Sequence, residues 1–484
     1  MVNVGRRLTN QIGIIGAGPI GITLAKLLVE KGFKPVIIEA GGWQNESLLT
    51  LKNYTLKSNN KFPEGVRLVG GQSSKWLGRV SLFPKDAYVN RSKIVGHDWL
   101  IPFEDIQKAY EKISKIFDIP TSGLSKIHSC SNCVNVIERI QFWFMSNPNC
   151  FRDVLKDMIS LNQVELVENT LVYKLKNLGN FLIADTITIE NGVEQKTAMQ
   201  FENIYICAGA LESTRLILSS FPELALKTSG GKYLMDHFDG YIGTLKIRPK
   251  AHKCLRQLVL ESNRKLTGNN FGVGISAFDK DIKWHLEICP KIRVYFFDPK
   301  IRRLPYLTNP IYQSLFFIER VLTYLPNIVS KKLSKVRNIQ EFSLWLRAEE
   351  FPTSKSLLLL QKLAAGQIFA NLTYRHRVSL RTRISLKKSL IKFSKIVRAK
   401  NLGYIKYFWW FRIPTFINLG GNNHPMGTLS IGETDYFPVD ASLKLKIEPR
   451  IRVVSSAVFP SGSHQNPTAQ VMALAQIAIQ SLEL

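Results

Sequence analysis

The chain has 484 residues, of which 45% are hydrophobic and 21% charged. That is enough for about two to four domains with large cores, which excludes wholesale disorder, a fibre and a disulfide-stapled miniprotein. The formal net charge of +28 is unevenly placed: residues 245–415 hold 34 Lys and Arg against 9 Asp and Glu, and the rest hold 31 against 28. One electropositive region of this kind suits an acidic partner.

Gln11–Ile15 is a short apolar run, Gly16–Gly21 a glycine turn, and Ile22–Lys31 has helical apolar spacing. Pro35–Glu39 is a second apolar strand, so the chain opens β-α-β. Gly65–Gly78 reads as a second glycine/serine loop, Ile106–Phe117 as a helix and Pro120–Asn132 as a polar loop. Val164–Leu175 alternates as a strand or hairpin. Asn203–Cys207 is another strand, and Leu211–Ser220 the helix after it. From about Gly240 to Pro414, β-like runs such as Lys291–Phe297 and Ser356–Leu360 alternate with basic stretches such as Lys331–Arg337 and Arg375–Lys400. Glycine-rich sequence returns at Gly420 and ends in a helix, Pro467–Leu482. These patterns predict a nucleotide-binding domain made of both chain ends around a basic, β-rich insertion.

Gly16-Ala17-Gly18-Pro19-Ile20-Gly21 fits G-x-G-x-x-G. In that pattern Gly16 permits the tight turn, Gly18 lets backbone approach a pyrophosphate, and Gly21 lets helix and strand pack closely. The helix N-terminus then faces the phosphate charge. Glu39 ends the next strand at the spacing where a carboxylate accepts from a ribose hydroxyl. An acid there disfavours a 2′-phosphate, which points to FAD or NAD rather than NADP.

Four further segments narrow the choice. They are Gly70-Gly71-Gln72-Ser73-Ser74-Lys75-Trp76, Cys207 through Arg215, His424-Pro425-Met426-Gly427-Thr428, and Ala457 through Asn466-Pro467 to Ala475. In this order the chain resembles the glucose–methanol–choline (GMC) oxidoreductases, above all the shorter bacterial and pyranose-oxidase-like members. The resemblance covers residues 11–80, 203–240 and 420–482. It implies an α/β fold with a discontinuous Rossmann-like FAD-binding domain (1–240 plus 415–484). The inserted α+β substrate domain (241–414) would be built on an antiparallel sheet. It also implies FAD and the oxidation of a small alcohol or carbohydrate, with the electron acceptor left open. By the same resemblance Gly16, Gly18, Gly21 and Glu39 match the adenosine-diphosphate site. Gly71, Ser73 and Ser74 match the loop at the pyrophosphate and flavin ring, and Val172 falls where backbone meets adenine. His424 matches the active-site histidine and Asn466 its partner. Lys75 stands where some members attach flavin through a histidine, so FAD is expected to be non-covalent. Ser455 stands where the family commonly has an acid.

A histidine suits the proton half of alcohol oxidation, and a flavin takes the hydride. Asn466-Pro467 reads as helix N-cap and N1, and the resemblance implies that the positive helix end faces the flavin. His464 is close enough in sequence to line the same pocket. His128, Cys130 and Cys133 offer soft ligands, but zinc needs a fourth and none is evident, so no metal is expected. His285 and Cys289 support no separate claim.

The basic insertion lacks a nucleic-acid recognition motif. Its apolar-basic clusters, Ile311–Lys335 and Tyr407–Arg412, suit peripheral contact with an anionic membrane or a phosphorylated or lipid-linked glycan substrate. A catalytically inactive flavoprotein is the alternative from another class. Six cysteines fit a reducing compartment, and neither a secretory signal nor a membrane span is read. The expected location is cytoplasmic, with at most a peripheral membrane contact.

Overall fold

Four consecutive buried residues form β1 (Ile12–Ile15), and a glycine turn leads into α1 (Pro19–Glu30) and β2 (Val36–Ile38). Strands buried on both faces are what a parallel sheet requires. In this computed structural model, residues 12–44, 66–76, 78–89, 91, 98–119, 138–145, 147, 149–190, 193–247, 271–276, 282–290, 340–361, 372–399, 403–407, 420–421, 424–480 and 482 are described. The parallel sheet continues on one side through β5 (Glu165–Val167). On the other it runs through β9 (Asn203–Ile206), β19 (Glu448–Val453) and the antiparallel β18 (Lys444–Leu445). Its order is β18-β19-β9-β1-β2-β5. Strands from both ends of the chain therefore lie side by side. Helix α2 (Phe103–Ile116), α3 (Cys150–Ser160), α4 (Gly209–Ser220), the short α5 (Glu223–Lys227) and the near-wholly buried α7 (Thr468–Gln480) share its core.

The second sheet is antiparallel wherever its strands pair. It contains β3 (Arg79–Val80), β4 (Glu138–Phe144), β10 (His237–Ile247), β11 (Phe271–Ser276), β12 (Trp284–Pro290), β13 (Gln340–Glu349) and β16 (Gly403–Tyr407). The order is β16-β10-β13-β12-β11-β4-β3, with β17 (Gly420–Gly421) also on β10. It draws on residues 79–80 and 138–144 as well as the 241–414 stretch. Helix α6 (Leu380–Ala399) covers it: Leu386, Leu390, Phe393 and Val397 join its core, and Trp284 donates to Ser389 Oγ at 2.6 Å. A three-stranded sheet, β6 (Thr170–Leu178), β7 (Phe181–Glu190) and β8 (Val193–Phe201), and a hairpin, β14 (Leu357–Leu360) with β15 (Leu372–Arg375), complete the strands.

The chain is thus mixed α/β, as expected. The Val164–Leu175 run divides into β5 and the first part of β6. Most of the basic stretch 375–400, to which the sequence assigns no element, is the helix α6. Asn466-Pro467 needs a small correction. Helix α7 begins at Thr468, and Val471 N–H donates to Pro467 O at 3.1 Å, so Pro467 takes the cap position predicted for Asn466. The expectations for Lys291–Phe297, His128–Cys133, Ile311–Lys335, Lys331–Arg337 and most of Tyr407–Arg412 fall outside the described residues. Among the described residues no helix is long and apolar enough to cross a membrane.

Candidate active site

Two glycine loops meet at one end of the parallel sheet. Gly70 N–H donates to Ala17 O at 2.8 Å, and a side chain at Gly71 would press on Gly18 Cα. Gly16 has φ +104, and a Cβ at Gly21 would collide with the carbonyl oxygen of Gly16. These two glycines are therefore fixed by close approach. At Gly18 a Cβ would meet nothing within 4 Å, and no side chain caps the start of α1. The loop is closed on its inner side and open outward at the helix N-terminus.

Glu39 is buried at the end of β2. Its Oε2 accepts from Ala17 N at 2.8 Å and its Oε1 from Gly41 N at 3.0 Å. Burial raises its pKa to about 7 against those two bonds. Ser73 and Ser74 turn their hydroxyls back onto Gly70 O (2.6 Å) and Gly71 O (2.8 Å), which tightens the second loop. Val172 is buried, and its carbonyl accepts from Arg215 Nη2 at 3.3 Å.

His424 lies where two distant segments pair. Met235 and Met426 exchange backbone hydrogen bonds at 3.0 and 2.9 Å. If that antiparallel register continues, the next pair on the same face as the bridge is 237 and 424. The rings follow: His237 Nε2 and His424 Nδ1 are 2.7 Å apart. Asp236 Oδ1 fixes both backbones, accepting from His237 N at 2.7 Å and His424 N at 3.3 Å. Behind it, Glu350 Oε2 accepts from Asp236 N at 3.1 Å and meets His376 Nε2 at 2.7 Å. Burial raises Asp236 to about 6. Gly427, at φ +87, has no room for a side chain beside Tyr233 O and Met235, so the turn after His424 requires glycine.

A second polar group adjoins this one. Arg79 and Arg347 both donate to Glu287 Oε1, the latter at 2.8 Å, and His285 Nε2 lies 3.2 Å from the same oxygen. Arg79 also contacts His285 and, at 3.4 Å, Gln465 Oε1. Arg347 Nη1 donates to Asn466 Oδ1 at 3.3 Å. The His285 and His464 rings meet edge to face at 4.9 Å. Burial, then the two guanidiniums, lowers His424 to about 3. Burial, opposed by Glu287, lowers His285 to about 4. His237 and His464 are pushed well below the ordinary imidazole value, again chiefly by burial. Although burial pushes it up, Glu287 is held well below the carboxylate range by Arg79 and Arg347. All four histidines are therefore neutral near pH 7, and His424 keeps a partly open face.

The structure brings together His424, His464 and Asn466 from the sequence reading. It adds His237, Asp236, Arg79, His285, Glu287 and Arg347, which that reading missed. A signal was present in part. His285 and Glu287 alternate with apolar residues in β12, as Arg347 and Glu349 do in β13, which puts polar groups on one face of otherwise apolar strands.

Residues 414–475, which contain His424, His464 and Asn466, match the family model for GMC oxidoreductases. The match is to the C-terminal part of that family's model and spans 62 of the 484 residues. Over its length the chain is similar in fold to the crystal structure of pyridoxine 4-oxidase from Mesorbium loti. The TM-score is 0.57 at 14% identity, over 98% of this chain and 99% of that one. At such identity the likeness is one of fold. No curated protein matches the chain by sequence.

Proposed function

We propose that the chain is an FAD-dependent enzyme that oxidises an alcohol, with His424 as proton acceptor and Asn466 holding the hydroxyl. The observation that carries this reading is the pairing of His424 with His237 beside an Arg347-held Asn466. The residues also fit the cofactor. The outward space at Gly18 and the uncapped start of α1 suit a pyrophosphate, which backbone N–H groups and the helix dipole would hold. A carboxylate has about four lone-pair positions, so Glu39 retains capacity for ribose hydroxyls beyond Ala17 and Gly41. The second glycine loop starts against Ala17 and leads to Arg79 in the histidine group, a path from phosphate site to reaction site. Gly71, Ser73 and Ser74 would line that path, Val172 would meet the adenine, and Pro467 would bring the start of α7 to the ring. Bound there, FAD supplies the two-electron acceptor for the hydride.

With Nδ1 engaged by His237, His424 has Nε2 left for the substrate. A neutral imidazole of depressed basicity does not hold a proton from water, yet it takes one from a hydroxyl as the carbon loses hydride and that proton becomes acidic. Arg347 orients the Asn466 amide through its oxygen, which leaves the NH₂ to donate to the substrate oxygen. Substrate specificity is proposed for polyhydroxylated or sugar-like alcohols. The test is the absorbance spectrum of the purified protein, followed anaerobically against sugars, polyols and pyridoxine. Flavin bands bleached by one of them are expected, whereas a protein that neither carries nor takes up FAD would overturn the reading.

A further inference from the structure

Helix α6 is buried on one side only, and its other side has an unusual composition. Ser379 starts it, accepting from Thr382 N at 3.1 Å. Between Leu380 and Ala399 it carries Arg381, Arg383, Lys387, Lys388, Lys392, Lys395 and Arg398 and no acidic residue. A merely solvated helix mixes both signs, because opposite charges at i, i+4 stabilise it and like charges oppose it. Here Lys388 and Lys392 are four apart, as are Arg383 and Lys387.

The exposed residues form one stripe. Arg381, Ile384, Lys388, Ile391, Lys392, Lys395 and Arg398 recur at helical spacing and are exposed. Three large apolar side chains lie in this stripe: Leu380 is 61% exposed, Ile384 38% and Ile391 37%. At about 100° per residue they fall within roughly 40° of one another, with basic residues on both flanks. The opposite face is committed to the protein through Leu386, Leu390, Phe393 and Val397, so the stripe is held outward on a rigid support.

We infer that the outer face of α6 docks the protein on an anionic lipid surface. Basic side chains would meet headgroup phosphates while Leu380, Ile384 and Ile391 enter the boundary between headgroups and acyl chains. Charge complementarity alone would also suit a nucleic acid. The apolar centre line favours lipid, since a phosphodiester backbone gives isoleucine nothing to bury against. The aromatic ring within the helix, Phe393, is buried and offers no stacking platform. This surface is separate from the candidate active site and does not depend on its chemistry.

The experiment is vesicle co-sedimentation of the flavin-loaded, full-length protein. One set of vesicles is phosphatidylcholine alone, the other three parts phosphatidylcholine to one part phosphatidylglycerol. Binding to the second set only, weakening as salt rises, is expected. Each basic residue near such a surface contributes about fivefold. Lys388→Gln, Lys392→Gln, Lys395→Gln and Arg398→Gln together should therefore weaken binding several hundredfold. Ile384→Ser with Ile391→Ser should weaken it at constant charge, and the flavin spectrum should stay unchanged in both variants. The inference is overturned if wild type ignores anionic vesicles or if the quadruple variant binds them as well as wild type. It is equally overturned if the serine pair has no effect while single-stranded RNA competes the protein off the vesicles.

Discussion

His237 Nε2 and His424 Nδ1 stand 2.7 Å apart, brought together across 187 positions of sequence beside the Met235–Met426 bridge. If His424 is the proton acceptor, His424→Ala should slow flavin reduction by substrate by about 10²–10⁴-fold with FAD still bound. His237 acts through its neighbour, as a positioning residue. Its removal in His237→Phe leaves a buried nitrogen of His424 without its partner, worth about 1–3 kcal/mol, or roughly 5- to 150-fold in rate. His237→Asn, which can still bond to Nδ1, should recover part of the loss. Stopped-flow reduction measures all three, and equal rates for the Phe variant and wild type would remove His237 from the mechanism.

Gly18→Ala and Gly21→Ala should separate cofactor binding from folding. A methyl at Gly18 enters open space, so the unliganded protein should keep its melting temperature and lose FAD affinity. A methyl at Gly21 strikes Gly16, so that variant should lose stability as well. Thermal melts with and without added FAD distinguish the two, and an unchanged FAD affinity in Gly18→Ala would move the pyrophosphate elsewhere.

Glu39→Ala strands two buried N–H groups, Ala17 and Gly41, at about 1–3 kcal/mol each. Glu39→Gln keeps one acceptor oxygen and should be the milder change. Denaturant titration gives the order, and FAD titration should show both variants binding more weakly. Glu39→Ala as stable as wild type would contradict the described bonds.

If the chain binds FAD, acid precipitation should release all of it into the supernatant, because by the family resemblance Lys75 stands where some members attach flavin through a histidine. Flavin retained on the washed, denatured pellet would refute a non-covalent cofactor.

Stability should fall between pH 7 and pH 5. In the unfolded chain histidine takes up its proton near pH 6.5, whereas the folded chain protonates His285 only near 4 and His424 near 3. His237 and His464 follow the same direction. The unfolded state thus binds more protons as pH falls, which favours it. Glu39 and Asp236, raised to about 7 and about 6, work the other way, since the folded state holds their protons longer. Although burial opposes it, Glu350 raises His376, and burial raises Glu349, so both add to Glu39 and Asp236. The four lowered imidazoles outweigh them, because their unfolded-state protonation falls mostly inside this window, so the urea midpoint should be lower at pH 5. A midpoint that rises on acidification would show that the histidines are not buried as described.

The opening β-α-β was legible because its signals are local: glycines at fixed spacing, two apolar runs and a well-placed acid. His424 and Asn466 entered the candidate site through a motif. The rest of the site did not, because His237, His285 and Arg347 converge only through strand register, and Arg79 arrives from a short strand with no pattern of its own. In α6 the apolar positions Leu386, Leu390, Phe393 and Val397 do have helical spacing. Basic residues crowd the positions between them and hide the amphipathic contrast.

The side-by-side placement of β1, β9 and β19 sets a schedule for biogenesis. Glu448 follows Ile15 by 433 positions, which at 5–20 residues per second is about 20 to 90 s of synthesis. Throughout that interval the nascent β1-α1-β2 unit lacks both β19 and the cover of α7, which packs on α1 and α2. Residues such as Ile14, Leu24 and Leu27, wholly buried at the end, remain available to chaperones or to other chains until Gln480 has cleared the ribosome. Insertion of the proposed FAD would thereby be a late event, and premature termination anywhere in the basic insertion would yield a fragment with an open apolar sheet.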